Sequence, residues 1–119
     1  VHFLGYQSKQ NTIKLIRGSD MMVQPSIMEG GTSSSLLEAM ACKTSIIATS
    51  VDGNKETIIH MNTAYVVSVN NPIEINNAVN YLFDNPEKQK IIINNAYDFV
   101  YNYDWERIGQ KYLDIYNGL

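Results

Sequence analysis

Pro25-Ser26-Ile27-Met28-Glu29-Gly30-Gly31-Thr32-Ser33-Ser34-Ser35-Leu36-Leu37-Glu38-Ala39-Met40-Ala41-Cys42 is the stretch whose reading decides the fold. Before it, Met21-Met22-Val23-Gln24 is an apolar run of strand length, and Leu36 to Cys42 is rich in strong helix formers. The middle is therefore a strand-to-helix turn. Gly30 and Gly31 allow a tight bend and close approach of a ligand, while Thr32, Ser33, Ser34 and Ser35 offer an N-cap and hydroxyl donors. Unpaired amides at the positive end of a helix dipole suit a phosphate or diphosphate. Glu29 and Glu38 bracket that turn, and since carboxylates repel phosphates, their natural partners are hydroxyl groups. Serines and glycines before a helix are also ordinary connection chemistry. The specificity lies in the whole string.

Outward from the turn, Ser45-Ile46-Ile47-Ala48-Thr49 is a continuous apolar run, as expected of a strand buried on both faces of a parallel sheet. Asp20 to Ser26 predicts the preceding strand, closed by Pro25, and Ala64 to Val69 a later one. Val1 to Tyr6 reads as a further strand ended at Gly5, and Ser8 to Arg17 as a helix capped by Ser8 and Gly18. Between the second and third strands, Gly53 and Asn54 suit a turn of positive φ, and Lys55 to Ile59 a short helix that Glu56 would cap. Three helices follow over 72–119. Ile75, Ala78, Val79, Leu82 and Phe83 form one amphipathic stripe; Asn85 and Pro86 start the second helix and Asp104 the third. The order predicts one α/β domain with a parallel sheet and flanking helices, Rossmann-like, over residues 1–119.

Composition narrows the function classes. A charge of −3 with no Lys/Arg run gives no nucleic-acid face. No apolar run reaches membrane-spanning length and no signal-peptide pattern is present, which predicts a cytoplasmic protein, at most peripheral to a membrane. The single cysteine, Cys42, precludes an internal disulfide, and no spacing of His, Cys or Asp predicts a metal site. The serines lack a paired histidine and acid, so no nucleophile is predicted.

The string Pro25-Ser26 to Glu29-Gly30, then Leu36 to Cys42, then Ile46-Ile47-Ala48-Thr49, resembles the nucleotide-sugar-binding half of the group 1 (family 4) glycosyltransferases, which have GT-B architecture. The resemblance spans nearly the whole chain but only the later part of that domain. It implies a transferase that moves a sugar from a nucleotide-diphosphate donor to an acceptor hydroxyl on a glycan, lipid or small molecule, with retention and without a metal or other cofactor. It assigns Glu29 to the transferred sugar as the catalytic carboxylate and Glu38 to the ribose. Gly30, Gly31, Thr32, Ser33 and Ser34 fall at the diphosphate, Gly53 on a second wall, and Gly5 and Tyr6 near the base. Three departures stand out. Lys43 and Ser45 replace the usual Gly and Pro, Asp52 replaces the first glycine of a Gly-Gly turn, and eight residues rather than seven separate the glutamates.

The resemblance also implies that the Arg and Lys beside the diphosphate, and the two strands flanking the Val1 run, lie outside this chain. That run should then be unpaired, awaiting a missing N-terminal domain or a second copy of the chain, and the chain alone should be an inactive fragment. Exposed apolar surface near Tyr112 and Tyr116 is expected where the last helices meet the other domain. Alternatives are a GT-B sugar-nucleotide epimerase and a non-catalytic Rossmann-like nucleotide- or sugar-binding module.

Overall fold

The structure, a computed structural model, describes all residues 1–119. Its centre is strand β2 (Ser45–Thr49), every residue of which is buried. It pairs in parallel with β1 (Met21–Gln24) on one side and β3 (Tyr65–Val67) on the other, in the order β1-β2-β3. Register sets Val23 beside Ile47 and Ala48 beside Val66.

Because side chains alternate along a strand, β2 feeds two cores. Ile46 and Ala48 pack with Ile16 from α1 (Lys9–Arg17), Leu36, Ala39 and Met40 from α2 (Ser34–Ala41), and Ala96 from α4 (Pro86–Val100). Ile47 turns the other way, onto Val67, Ile92 of α4, and Ala78 and Leu82 of α3 (Pro72–Asp84). Helix α4 thus contributes to both layers. Sheet plus flanking helices is the predicted α/β arrangement, and it aligns the carboxyl ends of β1 and β2, whose loops build the site.

The caps follow the sequence. Ser8 accepts a hydrogen bond from the Asn11 amide at 3.3 Å, and Asp104 accepts one from Glu106 at 2.8 Å to start α5 (Trp105–Asn117). Pro86 opens α4, and Asn71 caps α3 through the Glu74 amide. After the central helix, where the resemblance implies glycine, Lys43 itself adopts φ 58°. The Thr44 amide then reaches Ala39 O at 3.0 Å and the Lys43 amide reaches Met40 O at 3.1 Å, the paired bonds of a left-handed helix stop. Its ammonium lies over the Tyr97 ring, 4.4 Å from the centroid.

Two local expectations are corrected. Val1 to Tyr6 forms no strand, and Val1, Phe3 and Tyr6 are almost fully exposed. A strand needs a ladder partner, and the free edge of β1 is not joined by this segment. The helix expected over Lys55 to Ile59 is instead a single 3₁₀ turn at Asp52–Asn54, and neither Gly53 nor Asn54 has positive φ. The predicted apolar surface is present: α5 buries none of its residues, and Trp105 (86%), Tyr112 (61%) and Tyr116 (70%) are exposed.

The left-handed stop gives a sign test. Lys43→Gly and Lys43→Ala both lose the contact with Tyr97, but only alanine keeps the steric cost of positive φ. The glycine variant should be more stable by about 1 kcal/mol in chemical denaturation; equal stabilities would contradict the geometry.

Candidate functional site

The site is built from the loops that leave β1 and β2. Parallel neighbours lie about 4.8 Å apart, so the chains emerging from their carboxyl ends run close together. Here they touch. A Cβ on Gly53 would stand 2.7 Å from both the amide nitrogen and carbonyl carbon of Gly31. Gly53 is therefore glycine for space. Gly30 and Gly31 would each accept a Cβ with nothing within 4 Å, and neither has positive φ, so the tight bend expected of them makes no such demand.

Beside that contact, Asn54 is fully buried, and its Oδ1 accepts a hydrogen bond from the Ser33 amide at 3.2 Å. This corrects the expectation that the Ser33 N–H is open to a ligand: a buried carbonyl oxygen needs a donor, and Ser33 supplies it. Thr57 adds a second tie, its hydroxyl 3.4 Å from that of Thr32.

Ser33 is the N-cap of α2 by its extended backbone, yet its side chain makes no cap bond. Its hydroxyl instead reaches Gln24 Oε1 at 3.3 Å, and Gln24 Nε2 donates to Glu29 Oε1 at 2.8 Å. Ser26 Oγ donates to the same oxygen at 2.6 Å, and Thr49 holds the Ser26 carbonyl at 2.5 Å. As a result the amides of Ser34 and Ser35, at the positive end of α2, donate no hydrogen bond within the chain. Those two amides, with Gly31 and Thr32 ahead of them, form a run of backbone donors that a helix start can offer to an anion.

Glu29 is fixed at the end of β1. The hydrogen bond from Ser26, then that from Gln24, hold its carboxyl below the usual range, so it is a carboxylate acceptor with Oε2 free of protein donors. Between the two glutamates, Gly30 to Thr32 form an exposed bend that leads to the half-buried Ser33. Glu29 also lines a cavity of about 380 Å³, walled by Ile27 and Met28 on its own loop and by Ser50, Val51, Asp52 and Lys55 across it.

Glu38 lies outside that cavity, one turn into α2, with Oε1 3.8 Å from Lys9 Nζ and its side chain 24% exposed. Lys9 begins α1, so this ion pair ties the carboxylate to the start of that helix. Gly5 has φ 61°, a conformation that favours glycine, and Tyr6 projects into solvent. The structure thus joins Glu29 and Gly53 to the helix start, and sets Glu38, Gly5 and Tyr6 on the α1 side. Sequence reasoning missed Gln24, Ser26, Thr49 and the bridging role of Asn54. The available signal was the polar residue closing each strand, Gln24 and Thr49.

The family follows from comparison with known proteins. Residues 1–99 match the family described as glycosyl transferases group 1. The chain belongs to that family. It is 31% identical over 120 residues to an uncharacterized glycosyltransferase of Methanocaldococcus jannaschii, covering 100% of this chain and 31% of that protein. It is 28% identical over 117 residues to the N,N'-diacetylbacillosaminyl-diphospho-undecaprenol alpha-1,3-N-acetylgalactosaminyltransferase of Campylobacter jejuni, covering 98% of this chain and 30% of the relative. The chain therefore spans about a third of the length of these relatives. Anabaena HepE, solved in complex with UDP-glucose, superposes with TM-score 0.87 at 22% identity, over 100% of this chain and 32% of that one, a likeness of fold.

The Gly53 contact predicts a steep contrast within this group 1 domain. Gly53→Ala should force the loops apart and lower stability by about 1–3 kcal/mol, while Gly30→Ala, with open space at its Cβ, should stay within about 0.5 kcal/mol of the parent in denaturant unfolding. Similar losses at both positions would refute the close approach.

Proposed function

We infer that residues 1–119 are the later part of a donor-binding domain. The full enzyme transfers a sugar from a nucleotide diphosphate to an acceptor hydroxyl, with retention at the anomeric carbon. The observation that carries this reading is the pair of unsatisfied amides, Ser34 and Ser35, at the head of α2 beside the anchored Glu29. Ligands of open α/β sheets sit in the crevice beyond the carboxyl ends of the strands, where this pair lies.

Each residue then has a role set by its chemistry. The diphosphate rests at the amides of Gly31, Thr32, Ser34 and Ser35, which stabilise the charge that builds as the glycosidic bond breaks. Glu29 Oε2 accepts hydrogen bonds from hydroxyls of the transferred sugar and orients its anomeric carbon; it is the catalytic residue of this chain. Glu38 takes the ribose hydroxyls, and Gly5 with Tyr6 borders the base on the same side. Gly53 and Asn54 hold the second loop against the helix start.

The proposed chemistry draws only on hydrogen-bond donors and acceptors and calls for no metal or other cofactor. The acceptor, a glycan, lipid or small molecule, enters from a companion domain. The relatives are consistent with this: the Campylobacter protein is named for an undecaprenol-linked acceptor, and HepE was solved with UDP-glucose. On this reading the enzyme works in the cytoplasm, at a membrane surface when its acceptor is lipid-linked; no helix of the chain is long and apolar enough to cross a membrane.

Calorimetric titration of the chain with UDP, GDP and their sugars tests the reading. Weak binding of one nucleotide series without turnover is expected, and no heat with any of them overturns it. Glu38→Ala should weaken binding of the nucleotide sugar by about 1–3 kcal/mol; an unchanged affinity removes the ribose assignment.

A further inference from the structure

The cavity beside Glu29 has a rim that the donor reading leaves without a role. Asp52, at a position where the resemblance implies glycine, puts a carboxylate at the mouth of the cavity. Its Oδ1 accepts a hydrogen bond from Lys55 Nζ at 2.6 Å. That bond, with the charge of Lys55, holds the Asp52 carboxyl below the usual range, so the group is an anion throughout the neutral range. Glu29, on the facing wall, is also held as a carboxylate.

The charges around the cavity are therefore two carboxylates and one ammonium, and the ammonium is already engaged. We propose that this cavity holds the transferred sugar as a neutral polyol and turns away sugars that carry a carboxylate, with the Asp52–Lys55 pair setting the preference. The proposal rests on the donor reading above and deepens it to a substrate class.

A neutral hexosyl group offers hydroxyl donors to Glu29 Oε2 and to the free oxygen of Asp52, both acceptors without hydrogens of their own. A uronic acid differs only in its C6 carboxylate, and that group meets two like charges while the lysine able to receive it is held by Asp52. Selectivity here comes from a charge left without a partner, and an extra contact to the neutral sugar is unnecessary. Lys55 and Asp52 are both solvent-exposed at the rim (side chains 60% and 93%), so the effect is moderate and screened by salt.

The test is titration of the chain with UDP, UDP-glucose and UDP-glucuronate, and in parallel with GDP, GDP-mannose and GDP-mannuronate, in case guanosine is the base recognised. In the series that binds, the uronate is expected to bind about tenfold more weakly than the neutral sugar at low salt, with the gap shrinking at high salt. Asp52→Asn frees Lys55 and should bring the two within about twofold, and Asp52→Asn combined with Lys55→Met should reopen the gap. Asp52 is exposed in a single 3₁₀ turn, so the substitution leaves the core intact, which circular dichroism checks. Equal affinity for neutral and charged sugars in the parent chain overturns the proposal. A ratio unmoved by Asp52→Asn does so too. Binding of neither nucleotide diphosphate defeats the donor reading itself, an outcome distinct from both.

Discussion

The contact on which the site depends is backbone against backbone, Gly53 on Gly31, clamped by the hydrogen bond from the Ser33 amide to Asn54. It follows from the sheet. With β1 and β2 adjacent and parallel, both loops leave on the same side and compete for one strip of space, and the absence of a side chain at Gly53 lets them share it. The contact fixes where α2 begins relative to Glu29, and it sets the Asp52 rim opposite Ile27 and Met28. Asn54 makes the clamp stiff: a fully buried amide has no water to fall back on, so breaking its bond to Ser33 strands a polar group in the interior. Two segments remote in sequence thus behave as one wall.

The head of α2 gives up a cap bond. A serine at an N-cap ordinarily satisfies an amide of its own helix, and that bond is worth about 1 kcal/mol. Ser33 forgoes it and bonds to Gln24, which in turn holds Glu29. One rearrangement therefore does two things. It leaves the first amides of the helix facing outward, and it stiffens the carboxylate beside them. A conventional cap would have occupied one of those amides with the protein's own oxygen.

The parts of this chain legible in the sequence are those whose cause is local. β2 was readable because burial on both faces leaves an unbroken apolar run, and the starts at Ser8, Pro86 and Asp104 because a cap is a short-range contact. Lys43 was readable as a problem, a helix end without glycine; that the lysine itself would take the left-handed conformation, with Tyr97 beneath its ammonium, depended on a residue two helices away. The unpaired state of Val1 to Tyr6 followed from the expected strand order. The roles of Asn54 and Gly53 were not legible in the same way. Local turn rules pointed to positive φ, whereas the deciding interaction joins residues 21 positions apart, Ser33 to Asn54. Glu29 and Glu38 were found by pattern, but the polar frame that holds Glu29 emerged only in three dimensions.

The charges around the site limit what these residues can offer a diphosphate. On the proposed reading a departing diphosphate calls for positive potential, and two lysines pair with carboxylates of the proposed site. Lys9 is drawn to Glu38 at 3.8 Å and Lys55 to Asp52 at 2.6 Å, so both are balanced by carboxylates of this chain. What remains for the leaving group here is the dipole and the open amides of α2, a fixed partial charge of roughly half a unit. That is enough to orient a diphosphate and too little to neutralise one. On the proposed reading, the balance comes from cations outside these residues, and this chain contributes the geometry: a helix start held open, a carboxylate held still, and a cavity whose charge selects what lies between them.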